Sequence, residues 1–224
     1  MAMLTKTQPA VALAAAGESD GILMLRSARP VAAGFQNRIY AHPRDPGLLI
    51  KVPRYAAEIG DPWYKRLRSR YGGLVRMAAE HDALRARALY DLELIARVEG
   101  WVETDLGCGL AVEALRARSG ELAPTVFTLA RKGKLDADIR SKLDAFIARI
   151  VESALVAHDL KARNIVYAYD AASGSERLVL VDGIGGRPDF SLDCYSSNIS
   201  RFNKQRRARK LYAELDALTA RAPQ

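Results

Sequence analysis

His158-Asp159-Leu160-Lys161-Ala162-Arg163-Asn164 is followed, after an alternating segment and a glycine turn, by the apolar run Leu178-Val179-Leu180-Val181 and then by Asp182-Gly183. Alternation from Ile165 to Tyr169, the turn Ala172-Ser173-Gly174-Ser175 and the run Arg177 to Val181 predict a hairpin. That hairpin sets Asn164 at its entry and Asp182 at its exit. The order is an acid, a lysine two residues on, an asparagine five residues on, and a second acid at a strand end. Side-chain oxygens of this kind suit a hard cation such as magnesium, and a lysine among them suits a transferred phosphate. The plainer alternative is that Asp159 caps a turn and Asn164 fills a strand-entry position.

Upstream, Ile139, Leu143, Phe146, Ile147, Ile150 and Ala154 keep one apolar stripe, which predicts a helix from Asp136 to just before His158. Pro124 opens a short helix through Leu129. Nearer the N-terminus, strands are expected at Gly21 to Arg26, Phe35 to Ala41 and Gly47 to Val52, the last two joined by His42-Pro43-Arg44-Asp45-Pro46-Gly47. Leu74, Met77, Ala78, His81, Leu84 and Ala88 recur at helical spacing from Leu74 to Leu89. Two further strands, Leu94 to Glu103 and Gly109 to Ala114, follow around a glycine turn at Leu106-Gly107-Cys108.

This order, three strands, a helix and two strands, followed by helices and the hairpin, matches a protein-kinase-like fold. The chain also resembles one family in particular. The likeness is carried by Asn37-Arg38-Ile39-Tyr40-Ala41-His42-Pro43, Leu49-Ile50-Lys51-Val52, Gly100-Trp101-Val102-Glu103-Thr104-Asp105 with Gly107 and Gly109, Leu160-Lys161-Ala162-Arg163-Asn164-Ile165 and Val181-Asp182-Gly183-Ile184-Gly185. Over roughly Arg26 to Tyr212 these resemble the YrbL family, bacterial proteins named for the PhoP regulatory network. The resemblance implies an α+β, two-lobed, protein-kinase-like fold. Its N-lobe, residues 21–115, is expected to hold a five-stranded antiparallel sheet plus one helix. An abbreviated, mainly helical C-lobe is expected over residues 116–222, after a disordered tail at residues 1–20. Val102-Glu103-Thr104-Asp105 has no kinase-wide counterpart, so Glu103 and Asp105 are assigned to a family-specific turn.

Within that frame, Asp159 is expected to steer the acceptor proton and Lys161 to lie near the transferred phosphate, with Asn164 and Asp182 on magnesium. Lys51, after three large apolar residues, is expected to project into a cleft and hold the α- and β-phosphates of ATP; the alternative is a solvated strand end. Glu80, beside the inward stripe of its helix, is expected to pair with Lys51 rather than with Arg76. The loop Val31 to Arg38 offers one glycine, Gly34, to cover phosphates where protein kinases use several. Glu113-Ala114-Leu115 is where backbone would meet the adenine ring. His42, His81 and His158 lack metal-ligand spacing.

Ala157-His158 before the first acid, Asp182-Gly183-Ile184 in place of Asp-Phe-Gly, and the short remainder after Asp182 all depart from ordinary protein kinases. A reduced large lobe, without the helical platform that receives a protein substrate, is therefore expected. Compact lobes of this kind resemble those of kinases acting on lipopolysaccharide sugars, so the expected acceptor is a small molecule or envelope sugar. The rival reading is a pseudokinase, a binding or regulatory module of a stress or PhoP-linked network without turnover.

An apolar fraction of 49% in 224 residues supports a buried core, while charged residues interrupt every stretch long enough to span a membrane. The two cysteines form no framework, so a reducing, cytoplasmic setting is expected. A formal charge of +8 attracts anions, but only 7% of residues are aromatic and the interleaved pattern expected of a single-strand-binding groove is not read, which argues against a nucleic-acid partner. Arg201 to Lys210 is dense in basic residues, read as the wet face of a terminal helix or as a patch for an anionic partner or membrane surface.

Overall fold

The computed structural model describes residues 21–34, 36–54, 71–87, 90–186 and 197–220. The expected tail at residues 1–20 lies outside them, as do Phe35 and residues 88–89.

Five strands form an antiparallel sheet: β1 (Ala32–Ala33), β2 (Asn37–Ala41), β3 (Leu48–Pro53), β4 (Val98–Thr104) and β5 (Gly107–Glu113), in the order β1-β2-β3-β5-β4. Alternation gives the sheet two faces. Ile50, Val52 and Tyr40 pack on one side with Leu23 and Leu25. Leu110 and Val112 point to the other, into the main core with Leu74, Met77 and Leu84 of helix α1 (Gly72–Ala86). Lys51 is two residues from Leu49, which also packs against the main core, and so belongs to the inner face.

The first expected strand is not one. Gly21 to Arg26 meets the sheet only through an isolated parallel bridge of Leu23 to Thr104. Its backbone is claimed instead by Asp105, whose Oδ1 accepts from Leu25 N at 2.6 Å and whose Oδ2 accepts from Arg26 N at 3.1 Å. Leu23 N donates to Glu103 O, and Asp105 N returns a bond to Leu23 O. The Val102-Glu103-Thr104-Asp105 segment is therefore a clamp that lays an irregular segment along the open edge of β4, where unpaired backbone groups would otherwise invite another chain. The strand that starts the sheet is the two-residue β1. Of the expected strand from Leu94, residues Tyr90–Leu94 form a 3₁₀ turn and β4 begins only at Val98.

Beyond the sheet lie α2 (Val126–Arg131), α3 (Ala137–Glu152), a 3₁₀ turn (Ala162–Asn164), the hairpin β6 (Ile165–Asp170) with β7 (Ser175–Leu180), and α4 (Ser197–Thr219). Asp136 caps α3, accepting from Ile139 N at 2.8 Å, and the stripe Ile139, Leu143, Phe146, Ile147 and Ile150 is buried. The helix stops at Glu152, earlier than the expected end just before His158, and Ala154 is exposed. Its C-terminal carbonyls are met by Lys204 of α4, which is 1% exposed and donates to Ile150 O at 2.9 Å and Ser153 O at 2.7 Å. A cation at that end complements the helix dipole. The basic run of α4 is thus not all wet face. Lys204 is buried, Arg207 donates to Ala157 O, and Arg201 pairs with Glu152; Arg206, Arg209 and Lys210 are exposed. Leu211 and Leu215 seat the opposite side in the core.

Among the described residues no helix is long and apolar enough to cross a membrane.

Candidate functional site

A cavity of about 1150 Å³ opens between the inner face of the sheet and the segment that leads into the β6–β7 hairpin. Lys51, Asp159, Lys161, Asn164 and Asp182 lie on its wall, and so do Gly34, Glu113 and Leu115. Of the residues singled out from the sequence, Glu80 does not.

Lys51 reaches the cavity because β3 alternation turns it inward beside Met77. It is 4% exposed, and its ammonium donates to Val181 O and approaches Met77 Sδ at 3.5 Å. Burial pushes this amine below the ordinary lysine range, and the carboxylate of Asp182 pulls in the opposite direction. The expected Lys51–Glu80 pair is not formed. Glu80 instead accepts the Val156 N–H at 2.8 Å, filling a donor that follows the end of α3. Burial raises its pKa, and the bond from Val156 offsets part of that rise. Helical spacing could put Glu80 near the inward side, but it carried no information about the chain seventy-six residues later that would claim the carboxylate.

The two acids are held together by backbone. Asn164 Nδ2 donates to Asp159 O at 2.9 Å and to Asp159 Oδ2 at 3.3 Å, while Lys161 pairs with Asp159 Oδ1 at 2.8 Å. Asn164 O accepts from Val181 N, which ties hairpin entry to hairpin exit. After Asp182 the chain turns at Gly183, φ +77°, and Gly185, φ +81°. His158 N and Asp159 N both donate to Gly183 O, and Asp182 Oδ1 accepts from Gly183 N at 2.8 Å. A Cβ on Gly183 would stand 2.5 Å from Asp159 O, and one on Gly185 would collide with the backbone of Arg76. Glycine is therefore required twice, for a left-handed backbone and for close approach. Ile184, between them, is 1% exposed in the core and anchors the turn.

At the other end of the cavity, Glu113 N bonds to Arg97 O, and Ala114 N to Gly47 O. Leu115 O accepts from Ala123 N, whereas among the described residues its N–H has no partner. A donor and a neighbouring carbonyl on one edge can read a planar heterocycle. The roof is β1 and its turn, where Gly34 N bonds to Asn37 O and the alanines keep the backbone near the opening.

Among the described residues no group of three or more His, Cys, Asp or Glu is placed to hold a metal by itself. Asn164 and Asp182 suit a metal that brings phosphate ligands of its own, the usual habit of magnesium.

Arg131, Arg163, Thr125 and Phe127, to which sequence pattern assigns no role, also line the cavity. Arg163 was visible inside the motif, but nothing in spacing shows that its guanidinium lies 3.6 Å over the Phe127 ring.

The sequence profile of the family described as PhoP regulatory network protein YrbL matches residues 23–216 of the chain. The YrbL proteins of Escherichia coli (strain K12) and Shigella flexneri are each 26% identical over 148 residues, 65% of this chain and 65% of theirs, so the match spans just under two thirds of those relatives. Similar solved structures include the kinase domain of Mycobacterium tuberculosis PknI, with 17% identity and a TM-score of 0.47, covering 83% of this chain and 73% of that one. Another is Rad53 1-466 in complex with AMP-PNP, with 15% identity and a TM-score of 0.49, covering 86% of this chain and 50% of that one.

Proposed function

From a chain that belongs to the PhoP regulatory network protein YrbL family, we propose an atypical ATP- and magnesium-dependent phosphotransferase acting on a hydroxyl of a small-molecule or envelope-sugar acceptor. One observation carries this reading. Lys51, Asp159, Asn164 and Asp182, from three separate parts of the chain, line a single cavity large enough for a nucleotide. The division into an N-lobe, residues 21–115, and a reduced C-lobe, residues 116–222, belongs to the same proposal, with Glu113 to Leu115 as the hinge.

In this reading the Leu115 N–H and the Glu113 C=O meet the adenine edge, and the Gly34 turn covers the phosphates. Lys51 holds the α- and β-phosphates, exchanging its bond to Val181 O for phosphate oxygens. Magnesium, when bound, neutralises phosphate charge, and Asn164 and Asp182 are the residues that would hold it. Asp159 orients the acceptor hydroxyl and takes its proton as the hydroxyl oxygen bonds to the γ-phosphorus. The bond from that phosphorus to the β,γ-bridging oxygen breaks, and ADP leaves with the electron pair. Lys161, already paired with Asp159, stands where it can follow the transferred phosphoryl group.

The test is thermal-shift titration of the full chain with ATP and magnesium. The expected result is a rise in melting temperature that Asp182→Ala abolishes, with slow ATP hydrolysis lost in Asp159→Ala. A wild-type protein indifferent to the nucleotide refutes the reading.

A second reading, a nucleotide-binding regulatory module without turnover, is favoured by the engagement of Lys51 and Glu80 with backbone rather than with each other and by the single glycine of the covering turn. It predicts the same thermal shift with hydrolysis no faster than in Asp159→Ala.

A further inference from the structure

We propose that Arg131 and Arg163 form an anion subsite on the cavity wall, which takes an oxyanion group, phosphate or carboxylate, carried by the acceptor. The inference deepens the phosphotransferase reading and rests on it for the word acceptor.

Arg163 follows Asp159 by four residues and belongs to the 3₁₀ turn Ala162–Asn164. Its guanidinium carbon sits 3.6 Å from the centroid of Phe127, a cation–π contact that holds the group against the ring while the residue stays exposed. Phe127 and Arg131 are one turn apart on α2, so Arg131 rises on the face against which Arg163 is stacked. Both arginines are exposed and line the cavity.

Three other charged groups on the wall have partners of their own. Lys161 pairs with Asp159 at 2.8 Å, Glu113 with Arg177 at 3.7 Å, and Lys51 is bonded to Val181 O. Among the described residues, neither Arg131 nor Arg163 has a carboxylate partner. Two guanidinium groups that line one cavity without a carboxylate bonded to either can each offer an oxyanion bidentate hydrogen bonds. Position favours the acceptor over the nucleotide. Lys51 and Asp182, which would serve the triphosphate, come from β3 and the end of β7, whereas this pair stands on α2 and on the turn between Asp159 and Asn164, beside the acceptor's acid as well as the metal's asparagine. A substrate whose charged group docks there would bring a hydroxyl on the same small molecule to Asp159. The acceptor is then a phosphorylated or acidic alcohol rather than a neutral sugar or a basic peptide.

The experiment is isothermal titration of the full chain, loaded with AMP-PNP and magnesium, with inorganic phosphate in one arm and succinate in the other. Arg131→Gln, Arg163→Gln and the double variant are compared with wild type. The expected result is that at least one anion binds the loaded protein, that the double variant weakens it more than tenfold, and that AMP-PNP affinity changes less than twofold; the arm that binds names the group. Loss of AMP-PNP affinity along with anion affinity, or competition between anion and AMP-PNP, overturns the subsite by assigning the arginines to the nucleotide. Unchanged anion binding in the double variant also overturns it. Anion binding lost in the double variant by a protein that takes no AMP-PNP supports the subsite and refutes the phosphotransferase reading instead. Equal melting temperatures of the variants without ligand show that folding is intact.

Discussion

Replacing Gly183 by alanine separates backbone strain from collision, because Gly174 offers a matched control. Both residues are left-handed, with φ +77° and +67°. A Cβ at Gly174 meets nothing within 4 Å, so Gly174→Ala carries only the left-handed penalty of roughly 1–2 kcal/mol. At Gly183 the new Cβ lies 2.5 Å from Asp159 O and 2.7 Å from Asp159 Cβ, and ordinary contact begins at 3.4 Å. Something must move by about 0.9 Å, and the obstacle is backbone that already bonds Gly183 O through two amides. Overpacking of this kind costs roughly 1–3 kcal/mol, so Gly183→Ala is expected to lose about 2–5 kcal/mol in all. Urea denaturation of both variants reads the two numbers at a common m-value. Because the displaced atoms belong to Asp159 and adjoin Asp182, Gly183→Ala should also lose the ATP- and magnesium-dependent thermal shift, while Gly174→Ala keeps it. Equal destabilisation of the two variants would refute the argument from close approach, whatever the absolute loss.

Lys51→Met removes a buried ammonium, so the ligand-free protein should melt no lower than wild type, and the nucleotide-dependent shift should vanish. The folded-state pKa of Lys51 lies below its unfolded value of about 10.4, so the charged form opposes folding below the folded pKa and that cost is relieved as pH rises. The stability gap between Lys51→Met and wild type should therefore narrow from neutral toward alkaline pH, and a gap that widens contradicts the assignment. Lys204→Met strips the donors from Ile150 O and Ser153 O and is expected to cost about 3 kcal/mol in urea unfolding; a loss below about 1 kcal/mol would mean water replaces the cap. The amides of Leu25 and Arg26 hold the Asp105 carboxyl below its ordinary range, so the clamp contributes above the unfolded value of about 3.9 and is lost as pH falls through the lower folded pKa. Hydrogen exchange at Leu25 and Arg26 should accelerate in Asp105→Ala at neutral pH, with core amides unchanged; uniform acceleration would point to global destabilisation instead.

What could be read from the linear chain was whatever short-range spacing encodes. Asp136 announces a helix start because a cap and its amide are three residues apart, and the stripe to Ile150 announces the buried face. The acid-lysine-asparagine order and the hairpin to Asp182 are local as well, and the order of elements carried the α+β class; eight of the nine residues singled out line the cavity, and their roles there belong to the proposal. Folding alone chose the partners that lie far apart in sequence. Glu80 could have faced Lys51, but the end of α3 presented an amide in need of an acceptor. Lys204 looked like one more solvated base until α4 laid it across the carbonyls of Ile150 and Ser153. Gly21 to Arg26 has the composition of a strand, yet a carboxylate from β4's far end took its amides first. Periodicity states which face of an element is apolar. Which polar group meets which depends on the approach of elements fifty to eighty residues apart, where a buried donor left without an acceptor is costly.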